Sequence, residues 1–274
     1  MNLSRNKKIA LGIIALLIVI TGLCVYKYIG SGSQEIKTAK AYISKLIDAG
    51  LIDDNVNMKK SKSSEKSDPS KAEKYYSVTV DNYAIDMDAN YNVIGFTNKN
   101  SAIKDDTTII TEDEAKGLAE EYMKGLYTGE CQYKETVKEE DSQKVPYYTF
   151  VFYKCKDDIP LYNYIISMKI NKETGKVDGF SNSTKDVEPT DATINITPVQ
   201  AEQIVKDSFS KLNTFINFDD RTQKYFYENK DQTDLELCYM VSVKGLDSSS
   251  KEIRMKYFVS TDTGEIVNTE KNNV

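Results

Sequence analysis

The sequence predicts an α+β protein: one N-terminal transmembrane helix, followed by tandem units of one helix packed on a four-strand antiparallel meander. Three observations carry that prediction. Ile9 to Tyr26 is an 18-residue run without a charge, long enough for one membrane-crossing helix. A Thr-capped amphipathic helix is written twice, 86 residues apart. After each copy the apolar period changes from 3.6 to 2, the signature of strands.

Arg5, Lys7 and Lys8 precede the apolar run with no acidic residue among them, and Lys27 closes it. Beyond it lie 33 of the 36 basic residues and all 42 acidic ones. By the positive-inside rule, residues 1–8 stay in the cytoplasm, 9–26 form the anchor, and the C-terminal domains are extracytoplasmic on a single-pass cell-membrane protein. A cleaved signal peptide shares the charged start and apolar middle, and Gly30-Ser31-Gly32-Ser33 leaves a cleavage site open. The run, however, exceeds the usual ~7 to 15 residues of such signals. Leu23 before Cys24 is not the small residue that lipid attachment there requires. The acidic exterior argues against nucleic acid, whose phosphates need a basic stripe.

The first unit is assigned to residues 34–98. Ala39, Tyr42, Ile43, Leu46 and Ile47 make a helical stripe, Gly50 stops it, and Tyr75 to Phe96 reads as short strands. Residues 61–74, rich in Ser and Lys, read as a polar insert, a loop or a disordered stretch rather than a domain of its own. Val93-Ile94-Gly95-Phe96 matches Val177-Asp178-Gly179-Phe180 at an offset of 84. Tyr91 stands where the later copies have a turn glycine, leaving Asn90 or Asn92 to take the left-handed conformation.

The second unit spans 110–185. Thr111 is the helix N-cap, and Glu114 three residues on completes a capping box. Ala115, Leu118, Ala119, Tyr122, Met123 and Leu126 form its apolar stripe. Strands follow near Cys131–Lys138, Pro146–Cys155, Tyr162–Asn171 and Lys176–Asn182, with Gly175 as the turn glycine of the last hairpin. The third unit, 196–270, repeats the plan after a linker at Asp186–Asn195. Thr197 is the cap, Gln200 completes the box, and Pro198 takes the first helical position, where no N–H is needed. Its strands are Thr222–Glu228, Leu235–Lys244, Glu252–Ser260 and Glu265–Thr269, with Gly264 in the last turn.

A helix opened by Ile-Thr-x-x-x-Ala and a meander closed by Thr261-Asp262-Thr263-Gly264-Glu265-Ile266, or by Lys172-Glu173-Thr174-Gly175-Lys176-Val177, resembles the PepSY superfamily. Within it the layout is similar to the membrane-anchored tandem-repeat type, the YpeB-like and YcdB/YcdC repeat proteins. The resemblance implies an extracytoplasmic module that binds or restrains a peptidase or envelope enzyme, as the YpeB type supports a spore-cortex hydrolase. It supplies no catalytic residue.

The residues themselves narrow the chemistry further. With no His and no Trp, Ser/His and Cys/His catalytic pairs, His-ligated zinc and His-ligated haem are excluded. The four Cys include no Cys-x-x-Cys pair. Glu139-Glu140-Asp141, Asp157-Asp158, Asp219-Asp220 and Asp231 read as polar turns rather than paired acid/base carboxylates. Asp86, Asp88 and Asn90 alternate as calcium ligands do, but Asn92 stands where that loop needs glycine. Tyr147, Tyr148, Tyr153, Tyr162 and Tyr164 form either ordinary sheet packing or a peptide or glycan groove. Hairpin register centred on the turn after Lys138 sets Cys131 opposite Cys155, a candidate disulfide, with Cys238 left as a buried thiol. No catalytic, cofactor or metal residue is assigned.

The expected function is therefore a non-catalytic, membrane-anchored binding module that modulates or stabilises an envelope partner, a peptidase or cell-wall hydrolase. The alternatives are an accessory regulator of a sensor kinase and a structural envelope or spore assembly protein.

Overall fold

The computed structural model describes residues 33–68, 73–102, 109–138, 145–182, 187–189, 191–229 and 234–272. The anchor expected at 9–26 lies outside them. Among the described residues no helix is long and apolar enough to cross a membrane. In chain order the elements are α1 (Gln34–Asp48), β1 (Ser61–Asp68), β2 (Glu73–Val80), β3 (Tyr83–Met87), β4 (Val93–Asn98), α2 (Glu112–Leu126), β5 (Glu130–Thr136), β6 (Tyr147–Lys156), β7 (Ile159–Asn171) and β8 (Val177–Ser181). They continue as α3 (Pro198–Phe209), β9 (Thr214–Phe218), β10 (Gln223–Glu228), β11 (Leu235–Leu246), β12 (Glu252–Ser260) and β13 (Ile266–Asn272).

The chain divides into two compact units. The first comprises Met1–Ile110, Val145–Tyr147 and Ile170–Ser181; the second comprises Thr111–Lys144, Tyr148–Lys169 and Asn182–Val274. In the first, α1 lies on β1 and β2 and buries Ala39, Ile43 and Leu46, an i, i+4, i+7 face. The helix stops in a Schellman motif. Gly50 takes φ +68° while the Leu51 N–H donates to Leu46 O at 2.9 Å and the Gly50 N–H to Ile47 O at 2.8 Å. Val78, Val80, Ile85, Met87 and Phe96 complete this core.

In the second unit the sheet is buried on both faces. Ala201, Val205 and Phe209 of α3 pack on Tyr239, Val241, Val243, Ile253, Tyr257 and Val259. The reverse face of β11 offers Cys238 and Met240 to Tyr153, Tyr225, Tyr227 and Phe258. This two-sided burial is why β11 reads as a nearly continuous apolar run.

The expected fold class is corrected. Among the described residues there are thirteen strands, hydrogen-bonded into one mixed sheet, and three helices; they are not tandem units of one helix on its own four-strand meander. β10 pairs in parallel with β7 through Phe226 and Leu161, and β8 pairs antiparallel with β4. The physical reason is the edge. A free-standing meander leaves two strands with unpaired N–H and C=O groups, and neighbouring copies consume those edges by pairing.

The β4–β8 seam joins the two sequence motifs that matched at offset 84. Phe96 lies opposite Phe180, Gly95 opposite Ser181 and Thr97 opposite Gly179. A side chain at Gly95 would place its Cβ 2.8 Å from Phe180 O, so the close approach requires glycine.

Two local readings change as well. The polar stretch read as a loop at 61–74 contains β1, paired in register from Ser61 with Val80 to Asp68 with Glu73. Its Lys, Glu and Ser residues suit an edge strand, which charge protects from further pairing. Near Tyr91, neither asparagine takes the left-handed conformation; Tyr91 itself does, at φ +65°. The Asp88 carboxylate accepts the Asn90 and Asn92 N–H groups at 2.8 Å each, and Tyr91 stacks on Tyr76 at 4.9 Å. A local Asx turn and a ring contact offset the strain of a side chain there.

Candidate functional site

Thr111 and Thr197 each cap a helix in the same way. The Glu114 N–H donates to Thr111 Oγ1 at 3.2 Å while Glu114 accepts the Thr111 N–H at 2.8 Å. Gln200 and Thr197 repeat this at 3.3 and 2.7 Å. Gly175 and Gly264 take φ +68° and +74° in turns where each N–H donates four residues back, to Asn171 O and Ser260 O. None of the four lines either of the two clefts described below.

α2 lies over the β5–β6 hairpin, and two concavities of the second unit meet there. The pivot is the link Tyr127–Gly129. The Tyr127 ring rests against the Gly129 backbone so closely that a Cβ at 129 would lie 2.5 Å from the Tyr127 hydroxyl oxygen. On one side of this pivot is a mostly apolar groove of about 540 Å3, lined by Met123, Tyr127, Cys131, Tyr133 and Phe152 with Glu120 and Lys124. Tyr133 is held in place by an edge contact with Phe152 at 6.0 Å and by Lys116 Nζ 3.8 Å above its ring. On the other side is a polar cleft of about 370 Å3, which Glu130, Lys154, Cys155, Lys156 and Glu188 help to line. Lys156 donates to Pro189 O at 2.9 Å and pairs with Glu188 at 3.7 Å. Lys154 is only 2% exposed, its Nζ 5.7 Å from the Tyr127 ring centre.

Cys131 and Cys155 are both free thiols, one residue out of opposition. Cys131 faces Lys154, and Cys155 faces Glu130. Near the turn the register does follow the sequence expectation, with Glu135 opposite Val151 and Thr136 opposite Phe150. A bulge between Tyr133 and Glu135 then inserts one residue into β5, and every later pair slips by one. Because side chains alternate, that slip puts Cys131 on the α2 face and Cys155 on the face that packs against the tyrosine core. Burial raises both thiols, Cys155 to about 11. Cys238 is fully buried and free.

The five tyrosines are divided between the two units. Tyr147 belongs to the first unit and the other four to the second. Tyr162 is the hub of the aromatic core, 6.2 Å from Tyr153, 5.5 Å from Tyr225, 5.6 Å from Tyr227 and 4.7 Å from Phe258. Its hydroxyl donates to Glu270 at 2.8 Å, and Tyr227 donates to the same carboxylate at 3.3 Å. Burial, then this carboxylate, drives the Tyr162 pKa far up. Tyr164 reaches Glu228 at 3.3 Å, and Tyr148 tilts against Phe150 at 6.3 Å.

Of the acidic clusters, Glu139-Glu140-Asp141 and Asp231 lie outside the described residues. Asp157 and Asp158, at φ +50° and +61°, form the two-residue turn between β6 and β7. Asp219 is engaged by Arg254 at 3.2 Å, and Asp220 is exposed. The Asp88 carboxylate is occupied by its own loop, as described above. Among the described residues no three acidic or cysteine side chains converge as metal ligands would.

Sequence reasoning missed one polar cluster in the first unit. Asp178, 3% exposed, accepts hydrogen bonds from Asn98 at 3.0 Å, from Asn171 at 2.8 Å and from Ser101. An acid inside the apolar Val-x-Gly-Phe motif was the available signal. All of its donors are neutral and the group lines no described cleft, so its chemistry is that of a structural tie.

Residues 52–184 match the family model described as the YcdB, YcdC repeated domain. Among solved structures the chain is similar to the Bacillus megaterium YpeB C-terminal domain. The identity is 17%, the TM-score 0.51, and the match covers 89% of this chain and 99% of that one. The shared feature is the fold. No curated protein matches the chain.

Proposed function

We propose that this protein is a non-catalytic, membrane-anchored extracytoplasmic module that modulates or stabilises a cell-envelope enzyme. The observation that carries the reading is double: residues 52–184, just under half of the chain, match the model of the YcdB, YcdC repeated domain, and 89% of the chain is similar in fold to the YpeB C-terminal domain. The PepSY-like motifs at 172–177 and 261–266 and the charge asymmetry around 9–26 support it. So does the character of the groove beneath α2, which is mostly apolar with few polar groups, as a binding site is. The test is co-purification of the full chain, with its N-terminal segment intact, from the envelope. One stoichiometric hydrolase or peptidase is the expected result. A stoichiometric sensor kinase, a large multi-component assembly, or no partner at all would overturn it.

A further inference from the structure

The tie around Asp178 holds more groups than the strand or the turn beside it requires. The Val-x-Gly-Phe match puts Ile94 at its place in the first copy, and aligning the turn glycines Gly175 and Gly264 puts Val267 there in the third. Both are apolar, so β8 needs no acid at this position. The same alignment sets Ser260 in the place of Asn171, and its hydroxyl accepts the Thr263 N–H of the turn at 3.4 Å, so the hairpin closes without an amide. What the second copy adds is a sequence of reacting groups. Ser101 Oγ donates to Asp178 Oδ2, and the Asn171 amide nitrogen lies 3.3 Å from that Oγ and 2.8 Å from the same Asp178 oxygen. The amide oxygen of Asn171 accepts the backbone N–H groups of Glu173 and Thr174, both at 2.9 Å. Asn98 donates to the other carboxylate oxygen at 3.0 Å. Asn171 and Asp178 are 7% and 3% exposed, so bulk water is largely kept away. A hydroxyl on a buried carboxylate, an amide oxygen held by two N–H donors and an amide nitrogen on that same carboxylate are the parts of an acyl transfer.

We propose that the protein joins Ser101 to Asn171 by an ester that it forms on itself, with loss of ammonia. Ser101 follows β4 outside any strand, so a small shift carries its Oγ over the Asn171 carbonyl carbon. As the new C–O bond forms, Asp178 takes the hydroxyl proton. Negative charge gathers on Asn171 Oδ1, where the two N–H groups already point. Asp178 then passes the proton to the amide nitrogen, the Cγ–Nδ2 bond breaks, and ammonia leaves. One O–H and one C–N bond are lost, one C–O and one N–H bond are made, Asp178 is regenerated, and no oxidant or reductant enters. Contact between the groups replaces a bimolecular encounter, and exclusion of water protects the product from hydrolysis. The two residues stand 70 apart in the sequence, one after β4 and one at the end of β7, so the ester would fasten the first copy to the second beside the β4–β8 seam.

Proteolysis of the full chain followed by mass mapping reads the step directly. The expected result is one branched peptide carrying Ser101 and Asn171, lighter than its two arms together by one ammonia. Hydroxylamine, which cleaves esters and spares amides, should separate it into those arms. Ser101→Ala, which removes the nucleophile, and Asp178→Asn, which keeps the side chain's size but not its basicity, should each yield two separate peptides at full mass. Separate full-mass peptides from the unaltered chain would overturn the proposal. So would an ammonia loss that persists in Ser101→Ala, since it would mark closure of Asn171 onto its own backbone, and so would a branched peptide that hydroxylamine leaves intact. Full linkage in Asp178→Asn would overturn the part given to the carboxylate. The map of the unaltered chain and its hydroxylamine cleavage need no variant, so the ester stands or falls even if a substituted chain fails to fold.

Discussion

Cys155 shows how much a single inserted residue decides. The strands, their turn and the antiparallel pairing were all legible from alternation and polar punctuation. The bulge in β5 was not, because nothing in Cys131-Gln132-Tyr133-Lys134-Glu135 marks one residue as surplus. The consequence is measurable. Mapping of the non-reduced protein should find Cys131 and Cys155 unpaired. With burial lifting Cys155 to about 11, only about a thousandth of it is thiolate at pH 8, so alkylation of the folded protein should be slow and should accelerate on unfolding. A Cys131–Cys155 linkage in that map would show that the register near the open end of the hairpin is different. Asp178 makes the same point about burial. Its three donors come from parts of the sequence with no shared pattern, so only the fold brings them together. Asp178→Ala would strand the Asn98 and Asn171 amides and should cost about 2 to 4 kcal/mol in urea unfolding. A change under ~0.5 kcal/mol, within the ordinary range for surface positions, would mean that water replaces the carboxylate.

At the level of elements, helices were the most legible part because their caps are local. Thr-x-x-Glu and Thr-x-x-Gln place donor and acceptor within one turn, and no distant residue is needed to complete them. The two boxes differ in charge, and this separates them in acid. The backbone N–H of Thr111, and then its hydroxyl, hold the Glu114 carboxyl below its ordinary value of 4.5, whereas Gln200 does not titrate. A folded-state pKa below the unfolded one gives stabilisation that is complete above about pH 4.5 and is lost as the pH falls through the lowered value. Amide-exchange protection at Glu114 and Ala115 should therefore decline between pH 6 and 3, while that at Gln200 and Ala201 should not. Glu114→Gln should abolish the difference. Strands were legible as segments but not as pairs, since alternation names a face and never a neighbour. The β4–β8 seam is the clearest case. Val-x-Gly-Phe was seen twice, and its two copies proved to be each other's partners. Gly95→Ala pushes a methyl toward Phe180 O and should destabilise by about 1 to 3 kcal/mol, the range for overpacking. A neutral substitution would show that the seam can open by a few tenths of an ångström at no expense.

Across the whole molecule, repetition in sequence and compactness in space follow different boundaries. The middle copy is divided, with α2, β5 and most of β6 and β7 in the second unit and β8 in the first, where β4 pairs with it. A repeat that pairs its last strand outside itself cannot satisfy its own edge, so its stability belongs to the neighbours as well. β13, the third copy's counterpart of β8, carries Asn268 and Thr269 where β8 carries Gly179 and Phe180, continues with Glu270 and Lys271, and among the described residues pairs only with β12. Polar residues there suit an edge strand, and Glu270 is further occupied by Tyr162 and Tyr227. Two fragments test this inequality by urea unfolding at equal concentration. Residues 110–185, lacking β4, should unfold without a cooperative transition, because β8 loses one of its two strand neighbours and α2 sits over an incompletely filled groove. Residues 110–274 keep β5 to β7 with β9 to β13 and the cores around Phe209 and Tyr162, and should retain a cooperative transition with a midpoint below that of the full chain. Equal cooperativity in both would mean that each repeat is autonomous after all, and that the β4–β8 seam is a contact between finished domains rather than part of how either is completed.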